Sequence, residues 1–215
     1  MDRIIVIDYG MGNIGSILNI LKKVGVHAAA SKGPEDVLSA NKLILPGVGA
    51  FDEAIKNLHT MDYIDVLNKK VLVEKTPILG ICLGLQLFCR GSEEGHEPGL
   101  GWLDAKAVRF RFEDTKYQRK IPHMGWNTVH VCQKSPLFPN LDEEHRFYFV
   151  HSFHVQCNNP SDILTCTHYG SEFTSAVCHE NIVGTQFHPE KSHRFGLAFF
   201  QAFATWTPAT AVVEM

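Results

Sequence analysis

Short, mostly apolar runs at Ile4 to Ile7, Val26 to Ala30, Leu43 to Leu45 and Ile78 to Ile81 alternate along the first part of the chain with longer, mixed stretches. Runs of this kind fit strands buried on both faces, as in parallel sheets. Between the first two, apolar residues at 14, 17, 18, 20, 21 and 24 recur at helical spacing, which predicts a helix over Ile14 to Val24 with one face inward. Strand, helix, strand is the rhythm of a doubly wound α/β fold. The middle of the chain changes rhythm. Ala105 to Phe110, Trp126 to Val131, Phe147 to Val150, Ile163 to Thr167 and Phe173 to Val177 are closely spaced strand candidates, in part antiparallel. A helix over Ser192 to Trp206 closes the pattern, and Thr207 to Met215 reads as a loose tail. The expected architecture is α/β: a mostly parallel central sheet flanked by helices, with an additional, partly antiparallel sheet, in one unit over residues 1–206.

Composition narrows the class of function. At 215 residues, 45% hydrophobic and 20% charged, the chain holds enough apolar material for a sizeable core. A net charge of -3 and the lack of a Lys/Arg cluster leave no electrostatic footprint for nucleic acid. No apolar run approaches the roughly 20 residues needed to span a bilayer. Met1-Asp2-Arg3-Ile4-Ile5 has no secretory pattern, so the expected location is cytoplasmic, with no membrane partner. The cysteines at 82, 89, 132, 157, 166 and 178 contain no Cys-x-x-Cys pair, which argues against a zinc knuckle or a redox motif and for reduced thiols.

Chemistry enters at Gly80-Ile81-Cys82-Leu83-Gly84. The apolar lead-in Pro77 to Ile81 predicts a strand and Leu83 to Phe88 a helix, so Cys82 falls on a sharp strand-to-helix turn of the kind that exposes a nucleophile. Glycines on both sides relieve a cramped turn. A helix N-terminus favours thiolate over thiol. The same local pattern also fits an inert core cysteine. Far downstream, Gly184-Thr185-Gln186-Phe187-His188-Pro189-Glu190-Lys191-Ser192 offers a base and its orienter. Pro189 biases His188 toward an extended backbone. Two residues on in an extended segment, Glu190 shares a side with His188, where a carboxylate fixes the tautomer and stabilises an imidazolium. A plain turn after Ile182 to Phe187 fits the tripeptide as well. Elbow and tripeptide together are much more specific. By elbow logic the backbone N–H of Leu83 supplies one oxyanion donor.

Six segments carry a resemblance: Asp8 to Asn13, Leu45 to Phe51, Gly80 to Gln86, Pro122-His123-Met124-Gly125-Trp126-Asn127, Tyr148-Phe149-Val150-His151-Ser152 and Gly184 to Ser192. In this order, over essentially the whole chain, the sequence resembles the class I glutamine amidotransferases, and among them the glutaminase subunits of imidazole glycerol phosphate synthases. The resemblance implies the amidotransferase-like (flavodoxin-like) fold and a Cys82, His188, Glu190 triad that hydrolyses L-glutamine through a thioester. It also implies Val48 as a second oxyanion donor, and Gly47, Gly49, Gln86, Ser152 and Phe153 around the glutamine, with Phe153 standing where tyrosine is usual. The chain has no room for a synthase domain, so a separate subunit is implied: a (β/α)8-barrel cyclase forming a heterodimer, with Gly10, Met11, Gly12, Asn13, Trp126, Tyr148 and Lys191 near the interface. An acceptor of another kind, a sugar-amidating synthetase of surface polysaccharide biosynthesis, fits the same glutaminase chemistry. A stand-alone cysteine hydrolase is the reading from another class.

Two patterns are set aside. Gly10-Met11-Gly12-Asn13-Ile14-Gly15 matches Gly-x-Gly-x-x-Gly, but the second strand ends in Ala30-Ser31-Lys32 without the acidic residue that a ribose requires. His151 and His154 lie three apart, on opposite sides of an extended segment, and make a poor metal pair. No metal and no cofactor is expected.

Overall fold

The computed structural model describes residues 3–112, 119–138 and 144–208. The expected loose tail lies outside the described residues from 209 onward. Five parallel strands form the first half of the sheet, in the order β2 (Ala28–Ala30), β1 (Ile4–Val6), β3 (Lys42–Gly47), β4 (Ile78–Cys82) and β11 (Ile182–Thr185). The strand expected from Val26 starts two residues later, because the Val26 N–H donates to Leu21 O at 2.9 Å and holds Val26 in the turn after the preceding helix.

Side chains of these strands alternate between two cores. Ile5, Leu43, Leu45 and Ile78 face α3 (Phe51–Thr60), α4 (Tyr63–Asn68) and α5 (Leu83–Leu87). Ile4, Val6, Ile44, Leu79 and Ile81 face α1 (Ile14–Lys23) and α6 (His193–Thr205). The strand period of two sends neighbours to opposite faces, so strands covered on both sides must be apolar throughout. One exception is Lys42, which is buried and turns its ammonium onto the carbonyls of Phe203 (3.1 Å) and Ala204 at the C-terminal end of α6. A cation at that end meets the free carbonyls and the negative pole of the helix.

The second half of the sheet is antiparallel and adjoins the first through β11, which pairs with β10 (Ser171–His179). The order continues through β9 (Ile163–Tyr169), β6 (His123–Val131) and β7 (His145–His151), and β8 (Phe153–Cys157) pairs with β10 and with β5 (Ala105–Arg109). The chain bends at Ser152 between β7 and β8. That break overturns the expected opposite facing of His151 and His154, since both rings pack on Phe110 and Phe173.

Candidate active site

Strand register brings the chemistry-bearing segments to one place. Gly47 pairs with Cys82 at the ends of β3 and β4, and Thr185 pairs with Ile81, so Gln186 and the residues after it emerge beside Cys82. These are the carboxyl ends of parallel strands, where open α/β sheets place their ligand crevices. Cys82 turns there from strand to helix with φ 55° and ψ -107°. The turn is possible because α5 leaves the sheet at close range: a Cβ on Gly84 would lie 1.9 Å from Leu45 O, and one on Gly80 2.7 Å from Leu85 N. Leu83 opens α5, where backbone N–H groups have no partner within the helix.

His188 is held by backbone and side chain alike. Its N–H donates to Tyr148 O at 2.8 Å, and its own carbonyl accepts from Ser192 Oγ at 2.6 Å. Its backbone is extended, with φ -101° and ψ 93°, but Pro189–Lys191 then closes a 3-10 turn. The turn, and not the expected extended alternation, carries Glu190 back to the ring, with Oε1 2.7 Å from His188 Nδ1. Both side chains are almost fully buried, 1% and 3% exposed, so the contact is shielded from water. Nε2, the other ring nitrogen, has no partner of good hydrogen-bond geometry, and the Cys82 sulfur is the neighbour whose charge acts on the ring. Burial opposes charge on His188. The Cys82 sulfur and then the Glu190 carboxylate outweigh it, and the imidazole is pushed up to about 10. Elsewhere burial pushes the thiols of Cys157 and Cys166 up to about 12 and that of Cys178 to about 11, with Cys89 higher still.

A cleft of about 500 Å³ opens over Cys82. It is lined by Val48 and Gly49, by Leu83 and Gln86, by Pro122, Ser152 and Phe153, and by His188 and Val150, whose carbonyl lies 3.9 Å from Cys82 Sγ. Gly47 does not line the cleft. It is buried behind the wall, where a Cβ would meet Leu83 Cβ at 2.8 Å and Tyr9 Oη at 2.9 Å. Glu94, Arg109 and Gln186 were not expected from the sequence: Glu94 and Arg109 bring opposite charges to the cleft, and Gln186 places Nε2 3.6 Å from Cys82 Sγ. His151, unsuited to a metal pair and expected to line a pocket or pack in the core, lines the cleft. Glu94 accepts the Phe51 N–H at 3.1 Å, and burial raises its carboxyl above the ordinary range.

The residues expected at an interface form two groups beside this cleft. The loop Gly10 to Asn13 lies against its rim: Gly12 abuts Pro46, and a Cβ on Gly49 would meet Met11 Cε at 2.7 Å. Asn13 caps α1 through Ser16 N. Trp126 sits opposite Tyr148 on β6 and β7, is 40% exposed, and stacks on His193 with centroids 5.4 Å apart. Lys191 Nζ stands 5.8 Å from the Tyr148 ring centroid, and the Tyr148 carbonyl is the one that holds His188. Among the described residues no group of three or more His, Cys, Asp or Glu side chains is arranged to hold a metal ion. No helix among them is long and apolar enough to cross a membrane.

The sequence model of the family glutamine amidotransferase class-I matches residues 5–204. The chain is similar to imidazole glycerol phosphate synthase subunit HisH 2 of Pseudomonas aeruginosa, with 50% identity over 93% of this chain and 98% of that one. To the subunit of the same name in Methanococcus maripaludis the identity is 53%, over the same shares. Among solved structures, PurLQS from Thermotoga maritima superposes with a TM-score of 0.72 at 18% identity, over 94% of this chain and 98% of the other. At that identity the likeness speaks for the fold.

Proposed function

We propose, for a chain that belongs to the class I glutamine amidotransferase family, the function of glutaminase subunit of an imidazole glycerol phosphate synthase, acting in histidine biosynthesis. The observation that carries the chemistry is the buried Glu190–His188 pair beside Cys82 at the floor of a cleft. The Cys82 sulfur attacks the side-chain carboxamide carbon of glutamine, and the resulting oxyanion is met by the N–H groups of Leu83 and Val48. As the C–N bond breaks, His188 gives its proton to the departing ammonia, and a γ-glutamyl thioester remains on Cys82. His188 then takes a proton from water, whose oxygen attacks the thioester and releases glutamate and the thiolate. Glu190 orients the ring and balances its charge throughout. Glutamine is a zwitterion at its other end, and the charges of Glu94 and Arg109 in the cleft suit its ammonium and carboxylate.

Ammonia is mostly protonated in neutral water and is then no nucleophile, so the product needs a sheltered route to its acceptor. That route is a cyclase subunit of (β/α)8-barrel form, docked over the Gly10 to Asn13 loop and the Trp126, Tyr148 and Lys191 patch. The heterodimer works in the cytoplasm. Docking acts on the Gly47-Val48-Gly49 segment. Val48 is 43% exposed at the cleft mouth, and glycines on both sides let its peptide reorient. A missing oxyanion donor is worth about 10²–10³ in rate. Glutamine hydrolysis measured with and without the barrel subunit and its phosphoribulosyl-formimino acceptor therefore rises by about that factor on docking. Full activity of the isolated chain, or stimulation only by a sugar-amidating synthetase, would count against the assignment.

A further inference from the structure

Outside the triad the Cys82 sulfur has two polar neighbours. The Val150 carbonyl, 3.9 Å away, can take a hydrogen bond from the thiol, and Gln186, wholly buried, directs its amide group at Sγ from 3.6 Å, the one donor of the two and so the one that suits the anion. Which end of a glutamine amide points where is decided by its partners. Here the decision starts at a backbone carbonyl, Phe153 O, which can only accept. It takes hydrogen bonds from His151 Nδ1 at 2.7 Å and from Gln86 Nε2 at 3.0 Å. The same Gln86 nitrogen donates to Gln186 Oε1 at 3.1 Å. The oxygen of Gln186 is thus the end turned toward Gln86, and its Nε2 is left for the sulfur.

The hydrogen bonds run on outward without a gap. Since His151 Nδ1 donates, its Nε2 accepts, and the donor is His123 Nδ1 at 3.0 Å. His123 Nε2 accepts in turn from Asn127 Nδ2 at 3.3 Å. That amide is pinned by two backbone groups, giving Nδ2–H to His168 O at 3.0 Å and taking Thr128 N–H on Oδ1 at 2.8 Å. Both imidazoles are therefore neutral, in agreement with the burial that brings His123 down to about 4 and His151 well below its ordinary value. A proton added to either ring would set donor against donor.

We propose that Gln186 is a catalytic group of this site: its amide N–H stabilises the Cys82 sulfur as an anion, and the train Asn127, His123, His151, Phe153 carbonyl, Gln86 keeps that N–H aimed. The proposal rests on the reading of Cys82 as the nucleophile. A hydrogen bond to an anion is among the stronger ones available to a side chain. It favours the free thiolate before attack, and again when the sulfur leaves the acyl carbon. Gln86, His151 and His123 are positioning residues, acting through Gln186. The other titratable groups around the sulfur are His188 with Glu190 behind it, Tyr9 and His151, with Glu94 and Arg109 across the cleft.

The test is the pH dependence of Cys82 alkylation by iodoacetamide in the full chain, read on the Cys82 peptide by mass spectrometry. In Gln186→Met the midpoint moves up by about one pH unit. In the complex with the cyclase subunit, kcat for glutamine falls about tenfold while KM changes little. A folded Gln186→Met whose profile and kcat overlay those of the unaltered chain, even with a lowered melting temperature, would make Gln186 a buried amide with a structural role only and overturn the proposal. Should Gln186→Met not fold, Gln186→Glu carries the test. It keeps the size and sets a carboxyl beside the sulfur, so its midpoint also moves up, and an overlay overturns the proposal equally. Glutamine hydrolysis that survives Cys82→Ala would overturn the reading of Cys82 and this proposal with it; a Cys82 that is essential yet indifferent to Gln186 removes the proposal alone.

Discussion

The two halves of the sheet serve the cleft in different ways. In the parallel half, β3 and β4 are buried at every position, and what that half contributes lies at or just past strand ends: Val48, Cys82, Gln186 and His188. In the antiparallel half, β6 alternates between buried and exposed positions, and it contributes along its length, with His123 inward and Met124 and Trp126 outward. The lesson is geometric. A strand covered on both faces has no side chain to spare until it ends, whereas a strand covered on one face can serve a core and a cleft or partner at once. The parallel half should therefore supply the groups that act in the chemical step, and the antiparallel half those that aim them from behind and that recognise the substrate.

The sharpest way to break this division is Cys82→Ala. Glutaminase activity of the complex falls by at least about 10³-fold, because a triad that acts as a unit fails with any essential member. Circular dichroism and melting temperature stay close to those of the unaltered chain. Residual activity near the original rate would move the chemistry away from the strand ends.

A smaller effect is expected of Glu190→Gln, about 10²-fold in kcat, since an amide still orients His188 but brings no charge. The same variant has a signature in stability. His188 is held above its ordinary 6.5, so the folded chain binds that proton more tightly than the unfolded one. Its contribution is complete below that ordinary value and is lost as pH rises through about 10. Melting temperature followed across this alkaline range falls in the unaltered chain; in Glu190→Gln the fall starts at the same pH, which the unfolded chain sets, but is smaller and is complete at lower pH. Coincident curves would sever Glu190 from His188.

The smallest of the three effects belongs to the antiparallel half. Arg109→Gln at the end of β5 raises KM for glutamine about tenfold with little change in kcat, as expected when uniform binding is removed. A loss confined to kcat would show Arg109 acting in the chemical step and dissolve the division of labour.

Much of the parallel half was legible in the sequence because its rules are local. Apolar runs, a helix spacing at Ile14 to Val24 and a glycine-flanked cysteine each lie within one window of residues. His188 and Glu190 were legible because proline fixes their backbone, although the turn that joins them had to be seen. The rest was hidden for a physical reason. Gln186 meets Cys82 across 104 positions and His123 meets His151 across 28, and a buried amide or imidazole looks in sequence like any other polar residue. Glu94 and Arg109 belong to segments whose periodicity predicts only loop and strand. Even the strand after Ser152 was missed, because a single bent residue leaves no mark on the hydrophobic pattern.

The backbone of Cys82 has a consequence for the history of such a chain. Its φ of 55° is a conformation that a side chain with a Cβ adopts at a cost of about 1–3 kcal/mol, while glycine enters it freely. A copy relieved of catalytic duty would gain stability by drifting to glycine there, so Cys82→Gly should outlast Cys82→Ala on heating. Stability alone would favour glycine at this torsion, so the thiol sits there against the preference of its own backbone.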